Sequence, residues 1–179
     1  MEQFKSLLMS EFSPHGALTS DQLDLLDQHY RMLQRWNPKI NLTRISSLED
    51  IVRFHYCESL YLGSYLPARP LRIVDIGSGA GFPGIPVAIY RSDCEVDLVE
   101  SHQRKAVFLR EATRNLSNVR VLAKRADDLV GSYDWMISRA VRFENVLRLN
   151  LASNIAVLGT DGEKKLPWGE SRSLFHVER

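Results

Sequence analysis

The sequence predicts an α/β fold, a largely parallel sheet flanked by helices, with an N-terminal helical extension in front of it. Three observations predict this. Up to about residue 69 the apolar residues recur at helical spacing. From residue 70 onward, short apolar runs alternate with helical segments, the pattern of successive βα units. At the first strand-to-helix junction lies "VDIGSGAGFPGIP", residues 74 to 86, with Gly77, Gly79, Gly81 and Gly84 directly behind an apolar run. The division is 1–69 for the extension and 70–179 for the α/β core, which together make one compact unit.

In the extension, "TSDQ" from Thr19 to Gln22 fits a capping box, and Leu23, Leu26, Tyr30 and Leu33 then form one buried helical face. Tyr30 and Trp36 read as core packing on that helix. Asn37-Pro38 is expected to stop it, because proline lacks a donor and restricts the residue before it. "INLTRIS" is a connection, "SLED" restarts a helix, and "LPARP" ends it. In the core, "LRIVDI", "EVDLVE", "VRVLA", "YDWMISRA", "NIAVLG" and "SRSLFHVE" read as strands. "GIPVAIYR", "QRKAVFLREATRNL" and "ENVLRLNLA" read as helices.

At 179 residues, the chain can bury a core without disulfide staples. Cys57 and Cys94 stand far apart in no metal-ligand spacing, and His29, His55 and His102 show neither ligand spacing nor triad partners. The expectation is a cytoplasmic protein with no metal and no membrane association, since no apolar run approaches 18 residues. Net charge is +1, but the stretch 101–148 carries ten Lys/Arg against five Asp/Glu. A basic half on a nearly neutral chain suits a localised anion footprint.

The glycine loop between strand and helix lets a ligand approach the backbone. In such folds, an acid about 20 residues on, ending the second strand, takes ribose hydroxyls. Glu100 ends "EVDLVE", 19 residues after Gly81. The letters G-A-G-F-P-G, read from Gly79, also match a dinucleotide loop, so an NAD-dependent oxidoreductase is the alternative reading. Pro83 and Pro86 count against it, because they remove N–H donors that a pyrophosphate needs. Asp75, just before the loop, would repel a pyrophosphate but suits a cationic ligand group or a loop-orienting role. S-adenosyl-L-methionine carries a sulfonium, an ammonium and no phosphate, and these features favour it.

"VDIGSGAGFPGIPVAI" resembles the cofactor loop of the class I (Rossmann-like) methyltransferases, and more narrowly that of the RsmG (GidB) family, bacterial 16S rRNA guanine-N7 methyltransferases. "YRMLQRWNPKINLTRI", "LVESHQRKAVFLRE", "KRADDL", "YDWMISRAV" and "GESRSLFHVER" agree in order, so the resemblance covers nearly the whole chain. It implies that Gly77, Gly79 and Gly81 approach the methionine portion of the cofactor. Phe82 then lines its pocket, Glu100 takes the ribose, and Ala126 and Asp127 contact the adenine. Arg139 would lie at the edge between cofactor and substrate, and Arg125 and Arg172 match arginines linked to substrate RNA or activity. The implied partner is 16S rRNA or the small ribosomal subunit, and the expected state is a monomer.

Methylation of guanine N7 needs no general base, since N7 has an in-plane lone pair and no proton. Alignment and water exclusion are what such a site must provide. The sequence departs from the family near its C-terminal end. Only "TDGEKKLPWG" joins the fifth strand to the last, where the family carries a further helix and strand. A module that binds cofactor or RNA without transferring a methyl group is therefore the other alternative.

Overall fold

The computed structural model describes residues 2–160 and 162–178. Helix α1 (Glu2–Phe12) buries Phe4, Leu8 and Phe12. Helix α2 (Ser20–Ile40) starts at the capping box expected from "TSDQ". The Thr19 side chain accepts from Gln22 N–H, and the Gln22 side chain accepts from Thr19 N–H. It buries Leu23, Leu26 and Leu33.

Pro38 does not stop this helix, contrary to the sequence expectation. The helix runs to Ile40 and closes at Asn41, whose φ of 50° is left-handed and whose N–H reaches the Asn37 carbonyl. The Asn37 amide also brackets Thr43, donating to its carbonyl and accepting from its N–H. One missing donor in a last turn is thus offset by the cap that follows it.

A short turn α3 (Leu48–Asp50) leads into a π-helical segment (Ile51–Cys57) and then α4 (Glu58–Tyr65). The core then alternates as expected: β1 (Arg72–Ile76), α5 (Gly84–Tyr90), β2 (Glu95–Val99), α6 (Gln103–Ala112), β3 (Val119–Leu122), a 3-10 turn (Ala126–Asp128) and β4 (Tyr133–Arg139). Helix α7 (Phe143–Leu147), β5 (Ala152–Thr160), β6 (Lys164–Lys165) and β7 (Arg172–Glu178) complete it. Two predicted helices are shorter than read. α6 stops at Ala112, where the Thr113 hydroxyl donates back to the Leu109 carbonyl. α7 stops at Leu147, because Leu151 and Ala152 turn inward to start β5.

The sheet order is β3-β2-β1-β4-β5-β7-β6. The strands from β3 to β5 are parallel, while β7 runs antiparallel to both β5 and β6. The two-residue β6 is formed by the connection that looked short in the sequence. On one sheet face Ile73, Leu98, Trp135 and Ile137 pack with the N-terminal helices, α5 and α6. On the other, Val74, Ile76, Met136 and Ile155 pack with Leu129, Val146 and Leu151. Strand order reverses between β1 and β4, so the crevice at their C-terminal ends is where this fold binds ligands.

Candidate functional site

The glycine loop leaves β1 at that crevice. Asp75 is fully buried, and its Oδ2 accepts the Gly84 N–H at 3.0 Å. Its Oδ1 is also buried and has no protein partner. Burial pushes the carboxyl up to about 7, against the pull of the Gly84 N–H. Gly84 must be glycine, since a Cβ there would meet Leu98 at 2.3 Å and Asp75 at 2.5 Å. Gly77, Gly79 and Gly81 all have positive φ, at 70°, 55° and 89°.

The loop's N–H groups are largely spent internally. Gly77 and Ser78 both donate to the Val99 carbonyl, Gly79 to Glu100 Oε2 at 3.0 Å, and Gly81 and Phe82 to the Ser78 carbonyl. Gly84 donates to Asp75 and Ile85 to the Gly81 carbonyl, while Pro83 and Pro86 have none to offer. A pyrophosphate would find almost no donors at the start of α5. The donor count that the two prolines suggested in the sequence is reinforced by the geometry.

Glu100 is buried at the end of β2, and its Oε1 also accepts the His102 N–H at 2.7 Å. Each carboxylate oxygen keeps a second acceptor site. Ala126 and Asp127 lie on the 3-10 turn beyond β3, Ala126 half-buried and Asp127 exposed. Arg125 stands on the same turn, with its side chain 75% exposed and 3.6 Å from Asp127.

Arg139 and Arg172 are brought together, on a residue that the sequence reading did not single out. Glu58, fully buried on α4, accepts two bonds from Arg172, at 2.7 and 2.6 Å, and lies 3.4 Å from Arg139. Arg139 also donates to the Phe54 carbonyl. Burial lowers the Arg139 guanidinium to about 10, partly offset by Glu58, so it stays charged at neutral pH. Glu58 raises Arg172. The three groups carry a net +1, and the two arginines border a groove of about 430 Å³ lined also by Arg142, Phe143, Val157, Thr160 and Phe175. Arg125 makes no contact with this cluster among the described residues.

The extension clamps the loop from behind. His29 on α2 donates through Nε2 to the Ala80 carbonyl at 2.9 Å and accepts the Tyr56 hydroxyl at Nδ1, also at 2.9 Å. Burial drives it down to about 4, so it is neutral. Phe82 is 5% exposed and turned into the extension, stacked on His55 at 4.5 Å and edge-on to Tyr56 and His29. His55, its pKa lowered by burial and then by Arg139, bonds Thr43. Both histidines lacked any motif signal. Glu58 had one, a lone acid inside the apolar stretch "HYCESLYLG". A larger groove of about 570 Å³ lies at the opposite edge of the sheet, around Asp97, Arg120 and Tyr133, away from the loop.

Residues 22–159 match the family described as GidB, rRNA small subunit methyltransferase G. The chain belongs to that family. A relative in Nitrosococcus oceani, named Ribosomal RNA small subunit methyltransferase G, is 39% identical over 127 residues, 69% of this chain and 58% of that protein. One of the same name in Dictyoglomus thermophilum is 33% identical over 180 residues, 97% of this chain and 71% of that protein. The first therefore extends well beyond what this chain spans. Among solved structures, the ribosomal protein L11 methylase of Lactobacillus delbrueckii subsp. bulgaricus superposes with a TM-score of 0.54 at 12% identity, over 69% of this chain and 78% of that one. The fold is the class I, Rossmann-like one that the sequence resemblance implied. No helix among the described residues is long and apolar enough to cross a membrane, and none of their His, Cys, Asp and Glu side chains form a group that could hold a metal.

Proposed function

We propose that this protein transfers a methyl group from S-adenosyl-L-methionine to guanine N7 of 16S rRNA, acting as a cytoplasmic monomer on the small ribosomal subunit or its RNA. The observation that carries the reading is the loop itself, in a chain of this family. Its donors are spent internally, an acid closes the second strand, and a buried carboxylate oxygen on Asp75 has no partner. Those features fit a ligand with hydroxyls and cationic groups rather than one with phosphates. When bound, S-adenosyl-L-methionine supplies an electrophilic methyl group on sulfur.

The chain's own residues then divide the work. Gly77, Gly79 and Gly81 would let the backbone approach the methionine portion. Glu100 would accept the ribose hydroxyls on its remaining lone pairs, and Ala126 and Asp127 would meet the adenine. Asp75 holds the loop through Gly84. N7 has no proton to lose, so no base is needed, and the buried, hydrogen-bonded His29 and His55 serve the loop as props. Arg139 and Arg172, held by Glu58, would meet phosphate or the guanine O6, and Arg125 a more distant phosphate. A cation beside the reacting N7 would oppose the charge that the base acquires.

The test is transfer of labelled methyl to small subunits from a strain lacking this modification, with the product nucleoside identified. Expected is labelled 7-methylguanosine. Cofactor binding with no transfer would favour a binding module instead, and calorimetric binding of NAD in place of S-adenosyl-L-methionine would overturn the cofactor assignment.

A further inference from the structure

We propose that the seam between α2 and α6 is a docking trough for the phosphate backbone of the RNA strand that flanks the target base. The proposal rests on the rRNA reading above and extends it away from the cofactor crevice. The two helices run antiparallel. Arg104 donates to the Lys39 carbonyl at one end of the seam, and Asn115 to the Gln28 side chain at the other.

Two grooves lie along this seam and share Trp36. One, of about 430 Å³, is lined by Arg31, Arg35 and Arg114; the other, of about 180 Å³, by Lys39 and Arg104. Trp36 floors both, half-buried and edge-on to Phe108 at 5.8 Å. On α2 the cations recur every fourth residue, about 6 Å apart along the axis. Arg31 is neutralised by Asp27. Arg35, Lys39, Arg104 and Arg114 have no carboxylate partner among the described residues, and Glu111 is the one acid lining the trough.

The position gives the trough its use. α6 begins at Gln103, three residues beyond Glu100, so the Arg104 end opens beside the crevice and the Arg114 end lies toward the opposite edge of the sheet. A strand that delivers a base to the crevice can lay its neighbouring phosphates down the seam. Two rows of unpaired cations around a narrow slot suit a polyanion.

The experiment uses the full chain with Arg35→Gln and Arg114→Gln combined. Both side chains are exposed, so the fold and the affinity for S-adenosyl-L-methionine should be unchanged. Binding of a 16S rRNA fragment is measured against salt, and KM and kcat on small subunits lacking the modification. Expected is an affinity and KM about tenfold worse at moderate salt, an unchanged kcat, and a salt slope smaller by about 2. An unchanged slope and KM would overturn the trough while leaving the methyl-transfer reading intact. Absence of transfer by the unmutated protein, with the slope change still seen, would overturn that reading and leave the trough. An equal loss on removing Lys5 and Arg69, on other faces, would mean net charge alone. Polyglutamate competing as well as RNA would assign the surface to an acidic protein. Either result overturns the proposal.

Discussion

Single residues at the loop carry the sharpest consequences. Glu100 accepts two backbone N–H groups, so it shapes the loop whether or not it meets the ribose as proposed above. Glu100→Ala should weaken S-adenosyl-L-methionine binding by roughly 1–3 kcal/mol, and Glu100→Gln by less, since one acceptor oxygen survives. Unchanged calorimetric affinity in the alanine variant would remove Glu100 from the site. Asp75 and His29 make a second, pH-dependent prediction. His29 stays neutral in the fold down to about 4, whereas the unfolded chain takes up that proton near its ordinary pKa. Its contribution to stability is therefore present above about pH 6.5 and lost as pH falls toward 4. Asp75 has the opposite sign. Raised to about 7, it contributes stability below its ordinary carboxylate pKa and loses it as pH rises toward 7. Each effect is on the order of 3 kcal/mol, so the two largely oppose one another between pH 4 and 7. Asp75→Asn removes one of them. Urea denaturation of that variant should show stability falling more steeply below pH 6.5 than in the unmutated chain, with any constant packing offset leaving the slope untouched. Parallel curves would show that Asp75 does not titrate there.

At the scale of elements, Glu58 ties α4 to β4 and β7 through Arg139 and Arg172. Glu58→Gln keeps the shape but leaves two arginines without their counter-charge. Breaking a buried ion pair costs about 3–5 kcal/mol, and the partial exposure of Arg172 places this case near the lower end. A fall in Tm of roughly 6–12 °C is expected, with methyl-transfer activity falling further than stability. A change of Tm within error would mean that the arginines find water or other partners. The same cluster shows what was legible in the sequence. Strand β4 and its terminal Arg139 were read from "YDWMISRA", because an apolar run fixes a strand without reference to its neighbours. The pairing of Arg172 with Glu58, 114 residues apart, was not legible, because charge pairing across a fold leaves no local periodicity. Helix α2 was read from its capping box and periodic leucines, yet its end was missed, since Asn41 and the Asn37–Thr43 bracket outweigh Pro38. Helix α7 was overextended, because "ENVLRLNLA" keeps helical periodicity past the point where β5 claims Leu151 and Ala152. Glycine loop and acid were legible because their spacing is set by one βαβ unit. The histidine props behind the loop were not, because they come from a separate stretch of chain.

For the whole molecule, those props decide how the extension relates to the core. Residues 1–69 were separated from 70–179 by the change from helical periodicity to strand–helix alternation, but one apolar cluster runs from Phe4, Leu26 and Tyr56 through Phe82, Ile85 and Leu98 to Ile137. Among the described residues no second core sits within the extension, and two of its buried polar groups reach across the division, His29 to the Ala80 carbonyl and Glu58 to Arg172. Neither part could expose its half of that cluster to water at small cost, because each buried aliphatic or aromatic side chain is worth about 1.5–3 kcal/mol. We therefore propose that extension and core unfold together. Calorimetry of the full chain should give a single transition whose van't Hoff and calorimetric enthalpies agree, and S-adenosyl-L-methionine should shift that whole transition upward. Two resolved transitions, with only the later one moved by the cofactor, would show instead that the helical extension is an independent domain resting on the loop.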